Sequence, residues 1–470
     1  MEMSRRMDMS RRMGMSGDGR IIMVVVLLMF WSVVSFGQDF KISGTVEGLP
    51  DQKGTIILEY WNEDTWKQCS NAAISKEGKF FLPNKCNHAG QYRLRLSVDP
   101  KRWGDFILID NQIIYDLKLK VEDLKMRALY IGGTNEMQGY YNVMESYANF
   151  LLNPDSLERN SRERLLMEKK FAEQIQNARI NAYPQTITAD VVIPCITRPI
   201  CPFIENTDIP MDSVLQWYAK NGLNNIPFKD PRILKHFGLV RSLNYHFQYF
   251  YDKNKITEYI DQVMVKSMLN EEVEAFVFRY LLDKMLDYKS EDGLSHLLTW
   301  YVSDCTDNTH VEDATKNLIT ALERNKPGST IENLRLPSLP NKNIVELKDV
   351  YSKNKITIIM FWRSNCSHCK EFEPELQSIY NKYKSQGIEV YAIGTDKAEE
   401  DWMASAKEKN SPWIHVFLSY DSRKDFSKRF PVPSTPTLIA VDQNGKILRR
   451  LIMRSKLEET IQEMLKEINP

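Results

Sequence analysis

Three kinds of hydrophobic periodicity succeed one another along this chain. From 38 to about 133, short runs alternate apolar and polar positions. The clearest are Lys41-Ile42-Ser43-Gly44-Thr45-Val46, Thr55-Ile56-Ile57-Leu58-Glu59-Tyr60 and Gln91-Tyr92-Arg93-Leu94-Arg95-Leu96-Ser97-Val98. A period of two sends every second side chain to the same face of a strand. Gly78, Pro83, Gly90 and Asp99-Pro100 break the runs at strand-like intervals. The pattern predicts an antiparallel β-sandwich, with a small barrel as the alternative.

From about 134 to 325 the period lengthens to three and four residues. The stretch 155–183 reads as a charged, solvated helix with one sticky face (Leu165, Leu166, Phe171, Ile175), stopped by Tyr183-Pro184. Segments 232–252, 256–268, 271–288 and 294–304 predict an all-α domain with short connections. Its aromatic stripe (Phe237, Tyr245, Phe247, Tyr249, Phe250) could form a ligand box, but at helical spacing it reads as core. Pro194-Cys195-Ile196-Thr197-Arg198-Pro199-Ile200-Cys201 reads as a rigid loop, closed by a disulfide or, less simply, carrying a second redox pair.

Asn325-Lys326-Pro327-Gly328-Ser329 reads as a linker, and after it strand and helix patterns alternate. Strands are expected at 356–362, 388–393, 413–418, 437–441 and 446–452. Helices are expected at 366–386, 399–409 and 456–468, with a helical turn at 425–430. Asp442-Gln443-Asn444-Gly445 is a hairpin signal between the last two strands.

The front of the chain bears on compartment. Arg5, Arg6, Arg11, Arg12 and Arg20 precede an uncharged stretch whose apolar centre spans 21–34. That length fits a signal-peptide core and falls short of the ~20 residues of a spanning helix. Ser35 and Gly37 suit a cut before Gln38; an uncleaved anchor is the alternative reading. The expected division is therefore a signal peptide at 1–37, a β domain at 38–133, a helical domain at 134–325 and an α/β domain at 326–470. Lys plus Arg total 62 and Asp plus Glu total 62. This balance argues against a chain-wide basic field for nucleic acid. Seven cysteines are too few and too scattered for a disulfide-dense scaffold or a zinc-ribbon array. Cys69 and Cys86 are candidates for a structural disulfide in an exported protein.

The chemistry falls where a predicted strand meets a predicted helix. Phe361-Trp362-Arg363-Ser364-Asn365-Cys366-Ser367-His368-Cys369 sets two thiols three residues apart on a first helical turn, close enough to bond reversibly. The helix N-terminus offers unpaired N–H groups and positive potential, both of which favour a thiolate. Cys366 is therefore the expected nucleophile and Cys369 the buried resolving thiol. The competing zinc reading lacks a second Cys-x-x-Cys or a His-x₃₋₅-His to complete four ligands, so no metal is expected. His236, His246 and His296 show no ligand spacing either. Ser434-Thr435-Pro436-Thr437 leads into a later strand. A cis Thr435–Pro436 bond would bring the Thr435 backbone beside the sulfurs, where it could pair with an extended substrate.

These features resemble the TlpA/ResA-like thiol–disulfide oxidoreductases of the bacterial envelope. The matching run comprises Pro327-Gly328, 334–340, Ile344-Val345-Glu346-Leu347, the Phe-Trp strand end, Cys366, Cys369, Pro374 and Thr435-Pro436-Thr437, across 328–470. The resemblance implies a thioredoxin-like α/β domain, no bound cofactor and a periplasmic or envelope location. It also implies partners that are protein thiols or disulfides, among them apocytochrome c, with an upstream membrane electron donor. The front part resembles a subgroup carrying an uncharacterised β domain and a helical domain, on the strength of 40–60 and Asp230-Pro231-Arg232-Ile233-Leu234.

The departures from the family are also informative. Met360 stands where thioredoxins keep a buried acid, and Phe372 where relatives often carry Glu. Glu373, four residues past Cys369, is then the candidate proton acceptor, although a solvent-facing glutamate is the commoner fate. His368 between the cysteines is a candidate for tuning the couple. Peroxidase chemistry is not expected, because Ile359 and Arg363 stand where a peroxiredoxin needs Pro and Thr. Two functional readings stand. One is a thiol–disulfide oxidoreductase; the other is an envelope binding or scaffold protein with an auxiliary redox domain.

Overall fold

The computed structural model describes residues 41–468 with breaks, the longest at 121–134 and 304–312. The expected signal peptide and Cys305 lie outside the described residues. The chain forms two compact units. One runs to 211 and includes 224–226 and 232–242; the other takes 212–223, 227–231 and 243 onward.

Among the described residues of the first unit seven strands make two sheets: β1 (Lys41–Glu47), β2 (Thr55–Asn62), β3 (Thr65–Ala73), β4 (Lys79–Pro83), β5 (Gly90–Leu96), β6 (Trp103–Leu108) and β7 (Ile114–Lys120). Their orders are β4-β1-β7 and β3-β2-β5-β6. Alternate residues of both sheets, including Ile42, Leu82 and Leu117 from one and Ile56, Leu58 and Leu94 from the other, enter one apolar cluster. One pairing corrects the all-antiparallel expectation: β1 runs parallel to β7. Alternation fixes which face is buried, but not a strand's neighbour or direction. Glu59 is buried opposite Arg93, with the Arg93 and Arg95 guanidiniums 2.6 and 3.0 Å away. Burial alone would raise its carboxyl pKa, and the two arginines outweigh that and hold it below the usual value. Cys69 and Cys86 are disulfide-bonded, with Cα atoms 5.8 Å apart.

Helices α1 (Asn135–Leu152) and α2 (Arg162–Ala182) follow. The second begins later than its charge pattern predicted, at a Ser161 cap whose Oγ accepts the Arg164 N–H. The stretch read as a loop is helical in its first part only: a π turn (Thr188–Val192) runs into α3 (Ile193–Ile196), and 197–201 is irregular, as expected. Pro194 lies in the first turn of α3, where its missing N–H costs nothing. Cys195 and Cys201 are buried and not disulfide-bonded, so the loop is not closed by a disulfide.

His236 is fully buried, with Nδ1 accepting the Gly238 N–H, and burial pushes its pKa down to about 3. The unfolded chain, near 6.5, therefore takes up the proton first. The stability this residue contributes is complete above pH 6.5 and drains away as pH falls towards 3. His236→Asn keeps an acceptor without the titration. From pH 7 to 5 the unmodified protein is expected to lose about 2 kcal/mol more stability than this variant, read by urea unfolding. Parallel losses would show that His236 does not drive acid sensitivity.

Helices α4 (Met211–Asn221), α5 (Gly238–Tyr251), α6 (Ile256–Ser267), α7 (Glu271–Asp287), α8 (Glu291–Ser303) and α9 (Asp313–Arg324) come next. A 3₁₀ turn (Pro231–Lys235) precedes α5, so 232–252 is broken rather than one helix. Asn270 caps α7, its side chain accepting the N–H groups of Glu272 and Val273. Phe247, Tyr249 and Phe250 are buried, as the core reading of the aromatic stripe expected.

The last part of the second unit holds β8 (Arg335–Pro337), β9 (Ile344–Glu346), α10 (Leu347–Tyr351), β10 (Ile356–Trp362), α11 (Ser367–Tyr383), β11 (Ile388–Gly394), α12 (Glu399–Lys409), β12 (Ile414–Phe417), β13 (Thr437–Asp442), β14 (Ile447–Arg450) and α13 (Leu457–Ile468). Its main sheet has the order β12-β11-β10-β13-β14. Strands β10, β11 and β12 are parallel, and β13 and β14 are antiparallel to their neighbours. Central β10 is buried at all seven positions. Ile356, Ile358, Met360 and Trp362 enter one core and Ile359 and Phe361 the other, so both faces are covered. Arg450 at the end of β14 is buried. It donates to both oxygens of Glu291 at 2.7 and 2.9 Å and to the Leu322 carbonyl at 2.5 Å.

Candidate active site

The two thiols stand where central β10 hands the chain to α11. The connecting turn is held from the neighbouring strand. The Asp396 carboxylate accepts the Ser364 N–H at 2.9 Å and its hydroxyl at 2.5 Å. The Thr395 N–H donates to the Trp362 carbonyl at 2.9 Å. At Gly394 an added Cβ would lie 2.1 Å from the Trp402 ring, so a side chain there would push the strand end out of place.

Cys366 is itself the N-cap of α11. Its backbone is extended (φ −85°, ψ 114°), and its Sγ accepts the Cys369 N–H at 3.2 Å. A cap ordinarily offers oxygen to an orphan N–H; here sulfur takes that place, and the contact stabilises negative charge on it. The same Sγ lies 3.2 Å from the Thr435 carbonyl, to which the thiol donates. The Thr435–Pro436 peptide is cis.

The two sulfurs differ in environment. Burial opposes ionisation of Cys366, but hydrogen bonds from the side chains of Cys369 and Thr435 and the N–H groups of Cys369 and His368 outweigh it, holding this thiol below the usual value. Cys369 is 5% exposed, and burial above all, then its bond to Cys366, pushes it up to about 12. The protein thus presents one thiol ready to ionise in front of one that holds its proton.

Behind Cys369 lies a cavity of about 10 Å³, room for roughly one water. Met360, Trp362, Cys369, Glu373, Trp413 and His415 line it. Glu373 therefore shares this cavity with the resolving cysteine and is not a purely solvent-facing helix residue. Its Oε1 accepts the Ser411 hydroxyl at 2.7 Å. His368 points outward, its side chain 67% exposed, with Nδ1 3.5 Å from Glu371. Arg454 closes this side, donating to the His368 carbonyl at 3.3 Å and to Glu371 at 3.2 Å.

Cys366, Cys369, Glu373, Thr435 and Pro436 thus converge, while His368 stands on the rim. Sequence reasoning missed Asp396, Ser411, His415 and Arg454. Asp396 had one available signal, its place just past the carboxyl end of a predicted parallel strand, where sites in such sheets gather. Among the described residues no group of three or more His, Cys, Asp or Glu is placed to hold a metal. No helix among them is long and apolar enough to cross a membrane.

Part of this chain is similar to known proteins. Residues 354–447 match a family described as thioredoxin-like. The chain is similar to the thiol-disulfide oxidoreductase ResA of Bacillus thuringiensis subsp. konkukian, at 28% identity over 151 residues, 32% of this chain and 83% of that protein. It is also similar to the sporulation thiol-disulfide oxidoreductase A of Bacillus subtilis, at 23% identity over 146 residues, 30% of this chain and 86% of that protein. Among solved structures it is similar to the thioredoxin domain of a thiol-disulfide oxidoreductase from Bacteroides vulgatus. That match has 32% identity and a TM-score of 0.28, and covers 30% of this chain and 97% of that one.

Proposed function

Because the C-terminal domain of this chain belongs to the thioredoxin-like thiol–disulfide oxidoreductases, we propose that the protein exchanges disulfides with protein substrates through Cys366 and Cys369. The direction is reducing or isomerising, and the location is the bacterial envelope. One observation carries the reading: the Cys366 sulfur caps the helix that follows it and is held below the usual thiol pKa.

The Cys366 thiolate attacks one sulfur of the substrate disulfide. A Cys366–substrate bond forms, the substrate S–S bond breaks, and the departing thiolate takes a proton. Cys369 then yields its proton to Glu373, and its thiolate attacks the Cys366 sulfur. The mixed disulfide breaks, the second substrate sulfur leaves and is protonated, and two electrons have passed to the substrate. An upstream membrane donor restores the two thiols. The Thr435 backbone, presented by the cis bond to Pro436, pairs with the substrate chain beside the sulfur, and apocytochrome c is one substrate of suitable chemistry.

The experiment is the reduction of insulin and the refolding of a scrambled disulfide protein, with dithiothreitol as donor. Cysteine-dependent turnover is expected. Its absence would favour the scaffold reading, in which the β and helical parts recognise a partner and the redox domain is auxiliary. His368 tunes the couple from the rim. Its exposure limits that influence, so His368→Ala is expected to lower the reduction potential by no more than about 30 mV, a tenfold change in equilibrium constant. An unchanged potential would remove His368 from the mechanism.

A further inference from the structure

A lysine far away in sequence reaches the same site. Lys289 follows α7 in the left-handed conformation, φ 52°. Its N–H bonds to the Leu286 carbonyl at 3.1 Å and the Ser290 N–H to the Met285 carbonyl at 2.9 Å. This is a Schellman ending, and glycine is the usual residue at the position Lys289 holds. A residue with a Cβ is strained there, which directs attention to its side chain. The Lys289 Nζ donates to the Pro436 carbonyl at 2.9 Å. Two residues on, Glu291 grips Arg450 of β14 with both oxygens, so the turn is anchored against the redox domain.

We propose that Lys289 is a positioning residue for the exchange: it holds the Pro436 carbonyl and sets a positive charge at the cis-proline turn whose Thr435 carbonyl meets the Cys366 sulfur, speeding resolution of the mixed disulfide by Cys369. Its role rests on the reading of Cys366 and Cys369 given above. Resolution requires Cys369 to lose a proton, and its thiol holds that proton tightly. The proton passes to Glu373. The new thiolate forms the Cys366–Cys369 bond while the Cys366–substrate bond breaks and the substrate sulfur leaves with the electron pair. A nearby ammonium lowers the energy of that thiolate.

The electrostatics agree. Burial holds the Lys289 ammonium below its ordinary pKa, the Arg454 charge adds to this, and Cys369 acts in the opposite direction. Among the described residues, the other titratable and charged side chains around the site are His368 and Glu371 on α11, Glu373 on the cavity side, Arg454 before α13 and Asp396 behind the turn. Glu371 bonds Arg454 and Asp396 bonds Ser364, whereas Lys289 bonds the carbonyl one residue past Thr435, whose own carbonyl meets the Cys366 sulfur.

The test uses the full-length reduced protein and 5,5′-dithiobis(2-nitrobenzoate), which separates the two steps by coloured-thiol release. The first release reports attack by Cys366, and the second reports resolution by Cys369. Lys289→Gly and Lys289→Asn both tolerate the left-handed backbone and remove the charge. They are expected to slow the second phase about three- to tenfold, leave the first within about twofold and raise the pH midpoint of the second. Lys289→Arg is expected to restore the second phase. Thermal stability should not fall in Lys289→Gly, because the substitution relieves strain. A second phase unchanged in both neutral variants would overturn the role of Lys289 alone. Absence of a first phase in the unsubstituted protein would instead overturn the reading of Cys366, and the role of Lys289 with it.

Discussion

Replacing Cys366 with serine is expected to lower disulfide turnover at least about a thousandfold, to the uncatalysed background. A serine oxygen keeps the size of the side chain and can still accept the Cys369 N–H, so α11 keeps its cap and the fold survives. A hydroxyl does not ionise near neutral pH and forms no exchangeable bond to sulfur, so the attacking step is lost. In the unsubstituted protein the attack rate should rise with pH through a midpoint below 9, because the Cys366 thiol lies below the usual value. Cys369, pushed up to about 12, should remain unalkylated in that range. Equal alkylation of the two thiols at neutral pH, or turnover that persists in Cys366→Ser, would place the nucleophile elsewhere.

The largest stability effect is expected at Arg450. This guanidinium is buried and satisfied by three protein oxygens, two from Glu291 and one from Leu322. Removing it in Arg450→Ala leaves a carboxylate without its partner and a carbonyl short of a donor, beside the space of a long side chain. Such a loss costs about 3 kcal/mol, the lower end of the range for a broken buried pair, since the Glu291 side chain is 30% exposed. Urea unfolding read by tryptophan fluorescence measures it. Combining Arg450→Met with Glu291→Gln should recover part of the loss by neutralising the stranded charge, as a double-mutant cycle would quantify. A loss below about 1 kcal/mol would mean the pair is solvated and contributes as a surface bridge does.

How far the sequence could be read depended on how local the determining physics was. The run Ile356 to Trp362 is apolar throughout, and a strand covered on both faces needs no further information to be recognised. The Cys-x-x-Cys at a strand–helix junction was legible for the same reason, since its spacing and its helix end are both local. Glu373 was singled out by counting along one helix from Cys369, and its side chain lines the same cavity as that thiol. The β1–β7 pairing escaped because two strands far apart in sequence carry no mark of mutual direction. Cys195 escaped because Pro194 suggested a loop, although proline is equally at home in the first turn of a helix. Lys289 and Glu291 lay furthest from reach. Their partners Pro436 and Arg450 are 147 and 159 residues away, and nothing in their surroundings signals it.

The central claim is that Cys366 attacks and Cys369 resolves. Mapping the adduct of a Cys369→Ser variant with a defined protein disulfide tests it most directly, by peptide mass analysis under non-reducing conditions. A stable mixed disulfide on Cys366 is expected, absent when Cys366 is also replaced. An adduct on Cys195 or Cys201, or none while the unsubstituted protein turns over, would contradict it.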